Sequence, residues 1–251
     1  MVYADYWIAL QEGHLTYGTF EDYKSIINRH IKPSMKGLRM RDVLPDDITR
    51  MMKEVANFSK SVHDKTYMLA KQMFTNAYDN KLISENPCPK MHAGGRDPVE
   101  RQALTNEQMT TLIEAVKGTR AYVFCMIGLY SGLRREEILG LKWDCVRLTG
   151  TPSILVKRAC RFVHNRPFVE ERLKTKASRR VIPIPPQLVQ CLQEAKASSK
   201  SCYVIGNEDN TPYTETQFRS MWDYVRNRTV GNKSYYRYRN GKKELYSFEA
   251  K

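Results

Sequence analysis

The sequence predicts a mainly α-helical protein with a small antiparallel β-sheet, built as a helical domain followed by a mixed α+β domain. Three observations carry this expectation. Apolar residues recur at helical spacing from residue 3 to about 91. A polar stretch containing Gly94-Gly95 and Pro98 then breaks the pattern. After Trp143 the period changes, and short β-branched runs appear. At 251 residues the chain is long enough for two domains. The boundaries follow as a helical domain over 1–91, a linker over 92–103 and a second domain over 104–251.

Each element has its own signal. In the first helix Tyr6, Trp7 and Leu10 share one face. Thr19 precedes a second helix, with Phe20, Tyr23, Ile26 and Ile27 apolar and an end near Pro33. Asp46-Asp47 opens a third with Ile48, Met51, Met52 and Val55. Ser61 opens a fourth with Tyr67, Leu69, Met73, Phe74, Ala77 and Tyr78, closing before Asn86-Pro87. Beyond the linker, Thr105 and Gln108 stand at capping-box spacing before Met109, Leu112, Ile113 and Val116. The run from Ala121 to Tyr130 is apolar on nearly all sides, which predicts a buried helix. Ile154-Leu155-Val156 and Val181-Ile182-Pro183-Ile184 read as strands flanking a basic excursion, and Cys202-Tyr203-Val204-Ile205 as another. Pro186 starts a helix to about Ala195. Thr214 with Gln217 opens one carrying Phe218, Met221, Trp222 and Val225. Asn240-Gly241 between alternating segments is a hairpin signal.

Charge points to a polyanionic partner. The chain has 41 Lys/Arg against 27 Asp/Glu, a formal +14. Residues 1–92 carry net +2 and residues 93–251 net +12, so the second domain holds most of the attraction. The six cysteines form no Cys-x-x-Cys pair and no His/Cys cluster at metal spacing, and several sit among apolar neighbours, as in Phe124-Cys125-Met126-Ile127, which predicts small buried side chains there, a reducing cytoplasm and no metal. No apolar run reaches the ~18 residues of a membrane span, and the N-terminus is not a signal peptide.

The segment Ser131-Gly132-Leu133-Arg134-Arg135-Glu136-Glu137-Ile138-Leu139-Gly140-Leu141-Lys142-Trp143-Asp144 is the most informative. A glycine turn delivers Arg134 to the start of a short helix anchored by Leu133, Ile138, Leu141 and Trp143. A guanidinium held this way presents a planar fork to two phosphate oxygens and stays charged at any working pH. Glu137, three residues on, shares its helical face. The second basic element is Leu173-Lys174-Thr175-Lys176-Ala177-Ser178-Arg179-Arg180-Val181-Ile182-Pro183. Residues 155–182 hold nine Lys/Arg against two Glu, and are read as a hairpin with a cationic tip. The ordinary alternatives are a surface arginine on a capped helix and a hairpin that merely touches phosphates.

The arginine segment closely resembles the first arginine box of the tyrosine recombinases, the phage-integrase and Xer-like enzymes that cut and rejoin DNA. The second resembles their lysine-bearing strand. The helical run, including His30 to Ile48 and Ala77 to Cys88, is similar to their core-binding domain. The resemblance implies a C-shaped clamp on double-stranded DNA, made of a helical core-binding domain and a mixed α+β integrase catalytic domain. It implies strand transfer through a 3′-phosphotyrosyl bond that conserves the phosphodiester energy, with no metal or nucleotide cofactor, and a homotetramer on paired sites. Arg134 takes the phosphate-binding role, with Glu137 orienting it. Lys174 takes the general-acid role, with Lys176 the alternative because spacing cannot decide the register. Arg135, Lys176, Arg179 and Arg180 become DNA-backbone contacts.

The family completes its site with His-x-x-Arg and a later tyrosine. Three residues after the five histidines stand Tyr17, Pro33, Thr66, Gly95 and Pro167. The second box is therefore missing from these residues, and none of Tyr235, Tyr236, Tyr238 and Tyr246 follows one. The catalytic domain is expected to be incomplete, and the sequence a piece of a longer gene product. The alternative is a noncatalytic DNA-binding relative that occupies recombination sites.

Overall fold

Caps and apolar spacing set the helices of the first of two units, Met1–Gln102 and Ala103–Lys251. The computed structural model describes residues 2–90, 94–100, 103–171, 179–229, 235–239 and 242–246. Helix α1 spans Val2–Leu10 and α2 Tyr17–Ile26. The latter widens into a π-turn at Ile27–Ile31 and ends in α3, Lys32–Ser34. The widening falls just before Pro33, which has no N–H to continue the helical ladder. Helix α4, Pro45–Glu54, starts where the Asp47 carboxylate accepts the Leu44 N–H at 3.0 Å. Helix α5 spans Lys60–Asp79.

Two expected starts move by two or three residues. Thr16, not Thr19, caps α2, its hydroxyl oxygen accepting the Thr19 N–H. Ser59, not Ser61, caps α5 through the Val62 N–H. Both displaced residues carry a hydroxyl one turn inside the helix, so residue type alone could not choose between neighbouring candidates. The face of α1 is corrected as well. Ala4, Trp7 and Ile8 are buried, while Tyr6 and Leu10 are exposed. At 100° per residue the core-facing stripe runs to the Ile8 side of Trp7. The core of this unit gathers Ile27, Ile31, Met35, Ile48, Met73 and Phe74. Gly94 to Asp97 pack back onto the start of α5, with Lys60 N–H donating to the Arg96 carbonyl and Arg96 N–H to that of Phe58.

The second unit opens with α6, Asn106–Val116, whose Thr105–Gln108 capping box forms at 3.0 and 3.2 Å. It continues through α7, Arg120–Ser131, and the short α8, Arg135–Leu139. Strands β1 (Val146–Arg147), β2 (Ser153–Val156) and β5 (Arg180–Pro183) form an antiparallel sheet in the order β1-β2-β5. Ile154 faces Ile182 and Val156 faces Arg180 in its register. Strands β3 (Ala159–Val163) and β4 (Arg166–Glu170) pair separately. Helices α9, Pro186–Ser198, and α10, Glu215–Thr229, follow, the latter behind a Thr214–Gln217 capping box. Strands β6 (Tyr235–Arg239) and β7 (Lys242–Tyr246) pair antiparallel as expected; Asn240-Gly241 lies outside the described residues.

Two strand expectations change. Cys202 to Ile205 is not a strand. Trp143 N–H donates to the Cys202 carbonyl and Val204 N–H to that of Leu141, but Trp143–Cys145 is a 3-10 turn and offers no extended partner beyond. The basic excursion is not one hairpin either. Residues 159–170 form their own, around a turn in which His164 and Asn165 both take positive φ (48° and 66°). The Asn165 Oδ1 accepts the Thr216 N–H at 2.8 Å and pins that turn to the start of α10. Lys174 and Lys176 fall in the connection between β4 and β5, and lie outside the described residues.

Core position and surface position on α5 should separate cleanly in stability. Phe74→Ala is expected to cost about 3–5 kcal/mol, because Phe74 is fully buried, and Tyr78→Ala within about 0.5 kcal/mol, because Tyr78 is exposed. Urea midpoints of the two variants check this.

Candidate functional site

The arginine segment is held from both ends. Helix α7 stops at Ser131 because Gly132 turns left-handed (φ +62°), a conformation that glycine adopts without Cβ strain. The Gly132 N–H still closes on the Gly128 carbonyl at 3.2 Å. Leu133 then drops into the core, and Arg134 is extended (φ −69°, ψ 155°) immediately before α8. Ile138, Leu139 and Leu141 bury the other face of the segment. At Gly140 the backbone of Ala159 and Cys160 passes so close that a Cβ would sit 2.9 Å from the Cys160 nitrogen, so β3 packs directly on the end of α8.

Glu137 is the centre of the arrangement. Its residue is 4% exposed, and its carboxylate accepts four hydrogen bonds. The Arg134 backbone N–H donates to Oε2 at 2.8 Å and the Arg134 Nη1 to Oε1 at 3.2 Å. Arg180 donates from Nη1 to Oε1 and from Nη2 to Oε2, both at 2.9 Å, in the two-point geometry that guanidinium and carboxylate favour. Burial alone would raise the Glu137 pKa. The Arg180 hydrogen bonds, the Arg134 backbone N–H and the Arg180 charge outweigh it, and hold the carboxyl below its usual range. The Arg134 side chain itself is 70% exposed. The backbone is thus fixed while the guanidinium reaches outward.

Arg135 binds Glu136, and its guanidinium lies 5.5 Å over the Phe218 ring. Arg179 is exposed, and Arg180 is half-buried on β5 facing Glu137. That inward role was not read from the sequence. A signal existed: Arg180, Ile182 and Ile184 alternate with the exposed Val181, and extending the alternation one step back turns Arg180 inward. Other charges of the excursion are also engaged. Arg158 grips Asp144 from Nη1 (2.8 Å) and Nη2 (3.0 Å), and reaches Glu171 from Nε. Hydrogen bonds from Arg158 hold the Asp144 carboxyl well below the usual carboxylate range.

Most of the cysteines are buried as small core side chains. Cys125, Cys145, Cys160 and Cys191 are buried, Cys88 is half-buried and Cys202 exposed. Burial pushes the Cys125, Cys160 and Cys191 thiols up to about 11 and Cys88 up to about 12, far from thiolate chemistry. Among the described residues no group of three or more His, Cys, Asp or Glu could hold a metal ion, and no helix is long and apolar enough to cross a membrane.

The depressed Glu137 pKa makes its contribution pH-dependent. A carboxyl whose folded pKa lies below its unfolded value stabilises fully above the latter, near 4.5, and that stability is lost as pH falls through the folded pKa. Glu137→Gln is expected to cost about 2 kcal/mol at neutral pH. The difference from the unmutated chain should shrink progressively below pH 4.5. Melts of both proteins across pH 3 to 7 check it, and a gap that stays constant with pH refutes it.

The chain is similar to known proteins over most of its length. The family described as "Phage integrase family" matches residues 102–237, and "Phage integrase, N-terminal SAM-like domain" matches residues 2–56. A XerC-like tyrosine recombinase of Caldanaerobacter subterraneus subsp. tengcongensis is 28% identical over 195 residues, which is 70% of this chain and 49% of that protein. An integrase of Streptomyces ambofaciens is 24% identical over 199 residues, 74% of this chain and 49% of its own length. The chain spans about half the length of the curated relatives it matches. Among solved structures, a Tn1549 transposon integrase in complex with a circular intermediate DNA superposes with a TM-score of 0.75 at 16% identity, covering 89% of this chain and 76% of that one. A lambda integrase dimer bound to a COC′ core site gives 0.66 at 14%, covering 92% and 77%. The mainly α fold with small antiparallel sheets is therefore that of integrases, and, since the first match covers more than half of the residues and includes Arg134, Glu137 and Arg180, the chain belongs to the phage integrase family.

Proposed function

We propose that this chain binds duplex DNA and contributes part of the active site of a site-specific DNA recombinase that works through a phosphotyrosyl intermediate. The observation that carries this reading is the Arg134 geometry: a backbone clamped by Glu137 with an outward guanidinium. Such an arginine neutralises charge that grows on a phosphate in a five-coordinate transition state. Lys174, or Lys176 in its place, protonates the departing 5′-oxygen, which leaves as a hydroxyl. Arg135, Lys176 and Arg179 supply the surrounding positive charge, whereas Arg180, expected from the sequence to join them, is tied to Glu137. Residues 1–91 form the core-binding domain, 92–103 the linker and 104–251 the catalytic domain. Four protomers act on two sites, by analogy with the lambda integrase tetramer bound to a Holliday junction among the structural neighbours.

A second reading has one specific observation behind it. No His-x-x-Arg occurs in the 251 residues, so by themselves they hold half of the constellation. As a noncatalytic relative, the chain would occupy recombination sites without cutting them. A nicked suicide substrate separates the two, because it traps a covalent protein–DNA adduct only when a tyrosine attacks. For these 251 residues the expected result is duplex binding without an adduct; a trapped adduct overturns that expectation.

Binding should be strongly salt-sensitive, with affinity falling steeply between about 50 and 200 mM salt. Arg134→Ala should weaken it about tenfold or more while leaving the melting temperature nearly unchanged. Fluorescence anisotropy with a labelled duplex, beside a thermal melt, tests both. Unchanged affinity, or an unfolded variant, removes the support for Arg134 as the phosphate ligand.

A further inference from the structure

We infer that Arg180 is a positioning residue that occupies the Glu137 carboxylate and so leaves the Arg134 guanidinium with uncompensated charge for a phosphate. This rests on the reading of Arg134 as a phosphate ligand and adds the device that keeps it available.

Arg134 and Arg180 compete for a single anion. A carboxylate offers about four lone-pair sites on two oxygens. Arg180 takes one on each oxygen at 2.9 Å, and the Arg134 backbone N–H takes another on Oε2 at 2.8 Å. The Arg134 side chain is left with one contact at 3.2 Å, the longest of the four. Exposure divides the two arginines the same way: the Arg134 side chain is 70% exposed and that of Arg180 31%. One negative charge between two guanidiniums leaves the trio at net +1, and the more exposed, more loosely held member carries it outward.

Without Arg180 the balance reverses. A carboxylate as buried as Glu137 does not remain half-paired at low cost. Arg134 is the near cation, already in contact, and would turn inward to chelate both oxygens. Its charge would then be cancelled by Glu137 instead of by a phosphate. The sheet keeps Arg180 in place. The pairing of Val156 with Arg180 and Ile154 with Ile182 sets which residues of β5 face inward, and Arg179, one residue earlier, is exposed. The two neighbouring arginines therefore do different work, although nothing in their chemistry distinguishes them.

The test is a rescue experiment on the full chain. Duplex affinity is measured for the unmutated protein, Arg180→Met, Glu137→Gln, the Arg180→Met/Glu137→Gln pair and Arg180→Lys, with Arg179→Met as the comparison. Arg180→Met is expected to lose about tenfold or more in affinity. The paired variant should recover most of that loss, because a neutral amide no longer neutralises Arg134. Arg180→Lys should fall between, since an ammonium cannot grip both oxygens. The loss in Arg179→Met should not be recovered by Glu137→Gln. If Arg180 were only another backbone contact, the paired variant would bind no better than Arg180→Met, and the inference fails.

A second readout needs no DNA. Phenylglyoxal labelling of Arg134, followed by mass spectrometry, should slow in Arg180→Met and return in the paired variant. Equal labelling rates overturn the inference. Should Arg180→Met fail to fold, the Arg180→Lys labelling rate decides: a rate below that of the unmutated chain supports the inference, and an unchanged one overturns it. If the unmutated chain binds no duplex at all, the proposed function falls, while the labelling still decides the role of Arg180.

Discussion

A carboxylate removed from water and shared by two arginines organises the second unit. Glu137 is 4% exposed, and an ionised carboxyl at that depth is stable only with its lone pairs filled. Its donors come from two places far apart in the chain, the start of α8 and the first residue of β5, 43 residues away. Satisfying the charge therefore requires the sheet to register correctly against the helix. That coupling makes the position of Arg134 a property of the whole unit, through Gly132, Leu133 and the β2–β5 pairing.

The net charge of the chain describes its electrostatics only in part. The excursion from residue 155 to 182 contains nine basic side chains, yet several are engaged within the protein. Arg158 is bound by Asp144 and Glu171, Arg161 by Glu170 and Arg180 by Glu137. Counting charges along the sequence overstates the field that a polyanion meets. Half-buried arginines act first as internal ties, whereas Arg179 is exposed and Arg134, which keeps one contact to Glu137, reaches outward.

Much of the helical framework was legible. The capping boxes at Thr105–Gln108 and Thr214–Gln217 form as spaced, because the reciprocal bonds involve residues three apart and need no tertiary partner. The starts of α2 and α5 were less legible. Thr16 and Thr19, like Ser59 and Ser61, are all able to cap, and residue type alone does not choose between them. The face of α1 misled in the same way. Tyr6 and Leu10 are apolar enough for a core, but the small Ala4 and the bond from the Tyr3 hydroxyl to Asn76 set how α1 lies against α5.

By itself the sequence determined the local elements and the chemistry at hand: where helices cap, where Gly132 turns the chain, and that Arg134 and Glu137 share a face three residues apart. It also carried the family, because those residue types and spacings are local properties. The tertiary structure alone decided that residues 159–170 form a separate hairpin pinned by Asn165, that Cys202 to Ile205 has no strand to pair with, and that Arg180 turns inward to Glu137. The pin from Asn165 to Thr216, the contacts of Cys202 and Val204 with Trp143 and Leu141, and the Arg180–Glu137 pair each join residues more than 40 apart. Strand pairing and the burial of a charge are settled between distant segments, and no local pattern of residue types records which partner wins.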